Sequence, residues 1–231
     1  MKEIYRQGGM EFSCEGINMQ DILRKIDHAK IIPIVNIETY SDASALGNAL
    51  MSGGIPLAEV TVRTEESIRC IKTLKAGFSE MLVGGGGVLS VEDVNRAVDA
   101  GAEFITTLGF NPRIVDYCIE RDIYVIPGIN SPTQVEMGLE RSLSVFRFFP
   151  AEASGGIRMV KALVAAYRDA MFIPVGGVNR QNLLSYIACE GVIACGGSWL
   201  LNTELISTGA FEEIIVLVSD AVSMIRSYLP E

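Results

Sequence analysis

Eight apolar, β-rich runs recur along the chain, and each is followed by a stretch with helical periodicity. The runs are IIPIVNI (31–37), LAEVTV (57–62), MLVGG (81–85), EFITTL (103–108), IYVIPG (123–128), SVFRFF (144–149), MFIPVG (171–176) and VIACGG (192–197). A leading helix is expected over MQDILRKIDHA (19–29). DASALGNALMSGG (42–54) ends on a double glycine that stops a helix, and SVEDVNRAVDAGA (90–102) opens on Ser90 as its cap. Strands alternating with helices imply a parallel sheet, and eight units of roughly 20–25 residues imply a (β/α)8 TIM barrel with a short N-terminal helix. The competing open doubly wound sheet favours a glycine-rich fingerprint after its first strand, and NIETYSDA carries none. No linker or low-complexity segment divides the chain, so residues 1–231 are expected to form a single barrel domain, with 1–18 as an N-terminal extension.

The charge balance narrows the partners. A net charge of −9 and a pI near 4.8 argue against nucleic acid, because no basic face dominates. The five cysteines are scattered, odd in number and free of CxxC spacing, which points to a reducing compartment. MKEIYRQGGMEFSCEG lacks the apolar core of a signal peptide, and no run reaches membrane-spanning length. The expected location is the cytoplasm, with no membrane partner. His28 is the single histidine, which suits a capping or surface role better than a triad or a histidine metal site.

In a barrel of this type the chemistry sits at the C-terminal ends of the strands. The last two runs end in PVGGVN, with Gly176 and Gly177, and ACGGSWL, with Gly196, Gly197 and Ser198. Glycine lets backbone N–H groups approach an anion, and Ser198 adds a hydroxyl donor, so the two loops are expected to form a phosphate cradle. In AEVTVRT, alternation puts Glu59, Thr61 and Arg63 on one side and Val60 and Val62 on the other. The valines suit packing against helices, so the polar side faces the interior. Glu59 then reads either as a proton shuttle or as half of a structural ion pair, and Arg63 as a bidentate grip on a carboxylate. In SVFRFF, Phe146 and Phe148 flank Arg147, which therefore points inward, with Glu59 its natural partner.

Together, ALMSGGIPLAEVTVRTEESI, IPGINSPTQV, FRFFPAEASGG, PVGGV and GGSWL resemble the 2-keto-3-deoxy-6-phosphogluconate / 4-hydroxy-2-oxoglutarate aldolases from about residue 20 onward. The resemblance implies a (β/α)8 barrel, usually a trimer, that cleaves a phosphorylated 2-keto-3-deoxy sugar acid to pyruvate and an aldehyde phosphate. It implies that Glu59 shuttles protons, that Arg63 contacts the substrate carboxylate, and that Gly176, Gly177, Gly197 and Ser198 hold the phosphate.

Family members carry a Schiff-base lysine where this chain has Arg147. A Schiff base needs a neutral primary amine, and a guanidinium stays protonated with a pKa above about 12. Gly87, Leu108 and Val175 stand where the family carries threonine, proline and often threonine, so the pyruvate end of the pocket is altered while the phosphate end is kept. Of the six lysines only Lys161 lies in the right neighbourhood, on a helix expected to ring the barrel.

The reading is an aldolase-family lyase acting without the imine. Glu59 is its acid/base, and Arg147 stabilises an enolate or keto oxygen. It calls for no cofactor. A metal-dependent variant would have Glu38 and Glu152 as the other acids near the strand ends. The alternatives are an isomerase or epimerase of a phosphorylated acid using Glu59, and a non-catalytic binder of phosphorylated ligands.

Overall fold

The structure, a computed structural model of the chain, describes residues 19–229, so the N-terminal extension 1–18 lies outside the described residues. Helix α1 (Met19–Ala29) leads into β1 (Ile31–Val35), followed by α2 (Ala43–Gly53), β2 (Leu57–Thr61) and α3 (Glu65–Gly77). Next come β3 (Leu82–Val88), α4 (Val91–Asp99), β4 (Phe104–Thr107), α5 (Pro112–Glu120), β5 (Val125–Ile126) and β6 (Gly128–Ile129). The chain continues through α6 (Pro132–Leu139), β7 (Val145–Phe148), α7 (Gly156–Ala166), β8 (Met171–Pro174) and α8 (Leu183–Ile187). It ends with β9 (Cys195–Gly197), α9 (Thr203–Ser207) and α10 (Phe211–Tyr228).

The helix boundaries follow local chemistry. Ser90 caps α4 reciprocally with Asp93, each side chain accepting from the other's backbone N–H. Thr64 and Ser67 do the same for α3. Helix α2 stops where Gly54 turns left-handed at φ 90° and returns its N–H to the carbonyls of Leu50 and Met51.

All strand pairings are parallel, giving an α/β fold with a curled sheet and helices between successive strands. One sheet runs β5-β4-β3-β2-β1-β9 and a second runs β6-β7-β8. Every residue of β1, β3, β4 and β7 is buried, as expected of strands covered on both faces. The fifth apolar run is split into β5 and β6 at Pro127, which has no N–H to give a ladder. The Pro127 carbonyl still accepts from the Arg147 N–H at 2.9 Å, so it sets the register of β7. At the other margin, the Phe172 N–H donates to Gly191 O at 2.8 Å and Ile193 N–H donates to Phe172 O at 3.2 Å, linking β8 to the strand that leads into β9. Among the described residues, no helix is long and apolar enough to cross a membrane.

Candidate active site

Glu59 projects from β2 and Arg147 from β7, and they meet in the interior. Arg147 Nη1 donates to Glu59 Oε1 at 2.5 Å, and the two residues are 5% and 1% exposed. Burying either charge alone is costly, and the contact compensates both. The same Nη1 donates to Thr106 Oγ1 on β4 at 3.1 Å. Thr106 Oγ1 also accepts from the Gly87 N–H at 3.3 Å, so one hydroxyl ties the guanidinium to the end of β3. The Arg147 guanidinium carbon lies 5.7 Å from the centroid of the Phe149 ring. Arg147 Nε is buried with no hydrogen-bond partner among the described residues.

Space for this arrangement comes from the glycine run of β3. A Cβ at Gly86 would overlap the Glu59 carboxylate, so that position must stay bare for the acid to lie where it does. Gly87 turns left-handed at φ 62° and presents its carbonyl to Arg63, whose Nη1 donates to Gly87 O at 2.6 Å and Val62 O at 2.8 Å. Arg63 is therefore held at the mouth, largely exposed, by the backbone of two neighbouring strands. A Cβ at Gly87 would sit 3.2 Å from Arg63 Nη2 and 3.6 Å from Leu108 Cδ2, so these two side chains already take up the space beside that position.

The glycine loops after β8 and β9 lie side by side. A Cβ at Gly196 would run into the Val175 side chain, 2.9 Å from Cγ1, which places Val175 between the loops. Gly176 and Gly177 both have positive φ, 97° and 84°. The Gly177 carbonyl accepts from the amides of Asn179 and Asn182 at 3.2 and 3.0 Å, which pins the loop from its far side. Ser198 is exposed at the start of a single 3-10 turn. Beside it the Trp199 indole Nε1 is buried without a partner among the described residues, 3.3 Å from where a Gly197 Cβ would be. The Phe149 ring spans the two ends of the site, with Arg147 on one side and Gly176 on the other, where a Cβ would lie 3.2 Å from Phe149 Cε2.

Other residues singled out in the sequence lie apart from this centre. Lys161 is exposed on α7, and none of Lys25, Lys30, Lys72, Lys75 and Lys161 is buried. His28 is exposed in the last turn of α1, and Glu38 is exposed after β1. Glu152 is exposed in the loop after β7, where it accepts from the Tyr186 hydroxyl and packs against Gly177. Burial, with help from that acidic partner, pushes the Tyr186 hydroxyl well above the ordinary phenol range. Among the described residues, no group of three or more His, Cys, Asp or Glu side chains is placed to hold a metal ion.

This geometry can be set beside known proteins. A sequence profile described as KDPG and KHG aldolase matches residues 22–217. The chain belongs to this aldolase family. It is 37% identical over 207 residues to the 2-dehydro-3-deoxy-phosphogluconate aldolase of Haemophilus influenzae, covering 90% of this chain and 98% of the relative. The protein of the same name from Treponema pallidum is 39% identical over 207 residues, covering 90% and 99%. Among solved structures, the KDPG aldolase of Legionella pneumophila, with pyruvate captured as a covalent carbinolamine, superposes with a TM-score of 0.82 at 32% identity. That comparison covers 86% of this chain and 96% of the other. The chain is thus an aldolase-family lyase.

Within that family frame, two members of the site escaped the sequence reading. Thr106 is one of two adjacent threonines in a buried strand, and alternation from Phe104 puts it on the side that faces Glu59. Phe149 follows Arg147 by two residues and shares its side of the strand line. Period two gives each its side of the strand, but only the position of Arg147 gives either a task.

Proposed function

We propose that this chain cleaves a phosphorylated 2-oxo acid to pyruvate and an aldehyde phosphate through an enolate held by Arg147, with no imine. The observation that carries this reading is the buried contact between Arg147 Nη1 and Glu59 Oε1, at the position where the resembled family has its amine nucleophile. In the cleavage direction the Glu59 carboxylate takes the proton of the C4 hydroxyl. The C3–C4 bond then breaks, its electron pair moves to the C2 oxygen, and the C4 fragment leaves as the aldehyde. The guanidinium stabilises the resulting enolate oxygen electrostatically, and Glu59 returns the proton to C3 to give pyruvate. A fixed guanidinium in a water-poor interior suits such charge stabilisation, because it needs little reorganisation during the reaction.

In this reading Arg63 grips the C1 carboxylate from the mouth, and Gly176, Gly177, Gly197 and Ser198 receive the phosphate. The uncommitted Trp199 Nε1 beside Gly197 supports an anion there. We read the two sheets as one closed (β/α)8 barrel in a single domain. Continuity through Pro127 and the Phe172–Val192 bridge support that closure. A homotrimer is the assembly that the family resemblance suggests. A cytoplasmic location is supported by the free thiols of Cys70, Cys118, Cys189 and Cys195.

One observation favours a second reading, a ligand-binding protein without turnover. The contact that tolerates Arg147 also ties Glu59 to a cation at 2.5 Å. Deuterium exchange at the methyl group of pyruvate, followed by NMR, separates the two. The lyase reading predicts exchange that persists with EDTA and is lost in Glu59→Gln and Arg147→Met. Saturable pyruvate binding with no exchange above background would replace it with the binding reading.

A further inference from the structure

The Arg147 guanidinium makes its side-chain hydrogen bonds through Nη1 alone. Nη1 is committed to Glu59 at 2.5 Å and to Thr106 at 3.1 Å, and the Phe149 ring lies 5.7 Å from the guanidinium carbon. Nε is buried with no partner among the described residues, in a side chain only 6% exposed. A buried donor on a charged group without an acceptor is unfavourable, and such an atom inside a polar site calls for an explanation.

We propose that Arg147 Nε–H is the ligand-facing donor of the site, taking the C2 oxygen of a small planar 2-oxo acid or of its enolate. Thr106 is the positioning residue that turns it there. The inference rests on the proposed function only in placing a 2-oxo acid beside Glu59. The chemistry follows from the inventory of donors. A guanidinium offers donors and no acceptor, so Nε selects an oxygen lone pair, and it does so more strongly as that oxygen gains negative charge.

Thr106 fixes the direction. Its oxygen accepts both from Nη1 and from the Gly87 N–H, so the plane of the guanidinium is referred to the backbone of β3. Without that hydroxyl, Nη1 keeps only Glu59, and the group is free to pivot about that one contact. Thr106 is 1% exposed, so it acts through Arg147 and not by touching solvent.

The test is NMR observation of arginine Nε–H groups in the full-length protein, with the Arg147 signal assigned by its loss in Arg147→Met. Oxalate serves as the probe, because it is a planar dianion with oxygens on adjacent carbons, like the carboxylate and enolate oxygen of the pyruvate enolate. At saturation the Arg147 Nε–H proton should move downfield and exchange more slowly with water. Thr106→Val should shrink that shift and weaken oxalate by about tenfold, the worth of one hydrogen bond to a charged group. Thr106→Ser, which keeps the hydroxyl, should restore both.

An Nε–H signal that stays put while oxalate saturates the protein would overturn the proposal. So would the absence of any oxalate binding, or wild-type affinity in Thr106→Val. Pyruvate methyl exchange on the same samples keeps the two claims apart. Exchange with an unmoved Nε–H defeats this inference alone, and a moved Nε–H without exchange defeats the enolate reading alone.

Discussion

Arg147 Nη1 and Glu59 Oε1 stand 2.5 Å apart in the interior, joining β7 to β2, and each is the charge partner that lets the other be buried. A pair of this kind has unequal consequences under mutation. Removing one member strands the other charge, whereas replacing both by apolar groups removes the problem. Glu59→Leu alone should therefore lower the stability by about 3–5 kcal/mol in urea unfolding, and adding Arg147→Met should recover most of that loss. Strictly additive losses in the double variant would mean that the two side chains do not compensate each other.

The same geometry makes a gain-of-chemistry prediction. Arg147→Lys places a primary amine beside Glu59, in the interior where the guanidinium now lies. Incubated with pyruvate and borohydride, that variant should acquire one pyruvyl adduct, mapped by digestion to the substituted position. An unmodified variant that is folded and binds pyruvate would show that more of the pyruvate pocket than this one side chain has changed. Gly87 and Leu108 would then be the next positions to restore.

At the other end of the site, Ser198 is exposed and its loss should leave the fold intact. Ser198→Ala should raise the KM for 2-keto-3-deoxy-6-phosphogluconate roughly tenfold and leave the unphosphorylated acid unaffected. Gly177→Ala is a harsher change, since its φ of 84° disfavours a side chain and the new Cβ would lie 2.6 Å from Glu152 Cγ. It should lower Tm and phosphate affinity together. Equal KM changes for both acids in Ser198→Ala would remove the serine from the phosphate site.

Burial pushes the Cys70 thiol up to about 12, and the Cys118 thiol likewise up to about 12. Unfolded thiols titrate near 8.5, so above that pH the unfolded chain sheds protons that the folded chain retains. The stability contribution is thus complete below about pH 8.5 and declines as pH rises towards 12. Urea midpoints should fall between about pH 8 and pH 10, and both thiols should resist a disulfide reagent until the protein is unfolded. Rapid labelling of Cys70 in the native protein would contradict the packing around it.

The strand-and-helix order and the ion pair were both legible before any coordinates, for the same reason. A period of two, anchored by apolar residues that must face helices, leaves Glu59 and Arg147 only the interior to occupy. The Ser90 cap was legible because its chemistry is local. Thr106 was not, because threonine is common in strands for its shape alone and only the position of Arg147 gives its hydroxyl a task. The backbone tether of Arg63 was hidden too, since its acceptor, Gly87 O, comes from a neighbouring strand with a left-handed turn. The break at Pro127 is written in IYVIPG as a missing N–H, which the hydropathy of the run conceals.

In the proposed mechanism this lyase works without an amine. The most direct test is to incubate the wild-type protein with pyruvate and borohydride, read its intact mass, and run a lysine-bearing aldolase of the family alongside. The proposed mechanism predicts an adduct on the control and none on this protein, while the protein still exchanges the methyl protons of pyruvate. A pyruvyl adduct on Lys161, or on any other lysine of the wild-type chain, would contradict it and show that the imine chemistry has moved to a new residue.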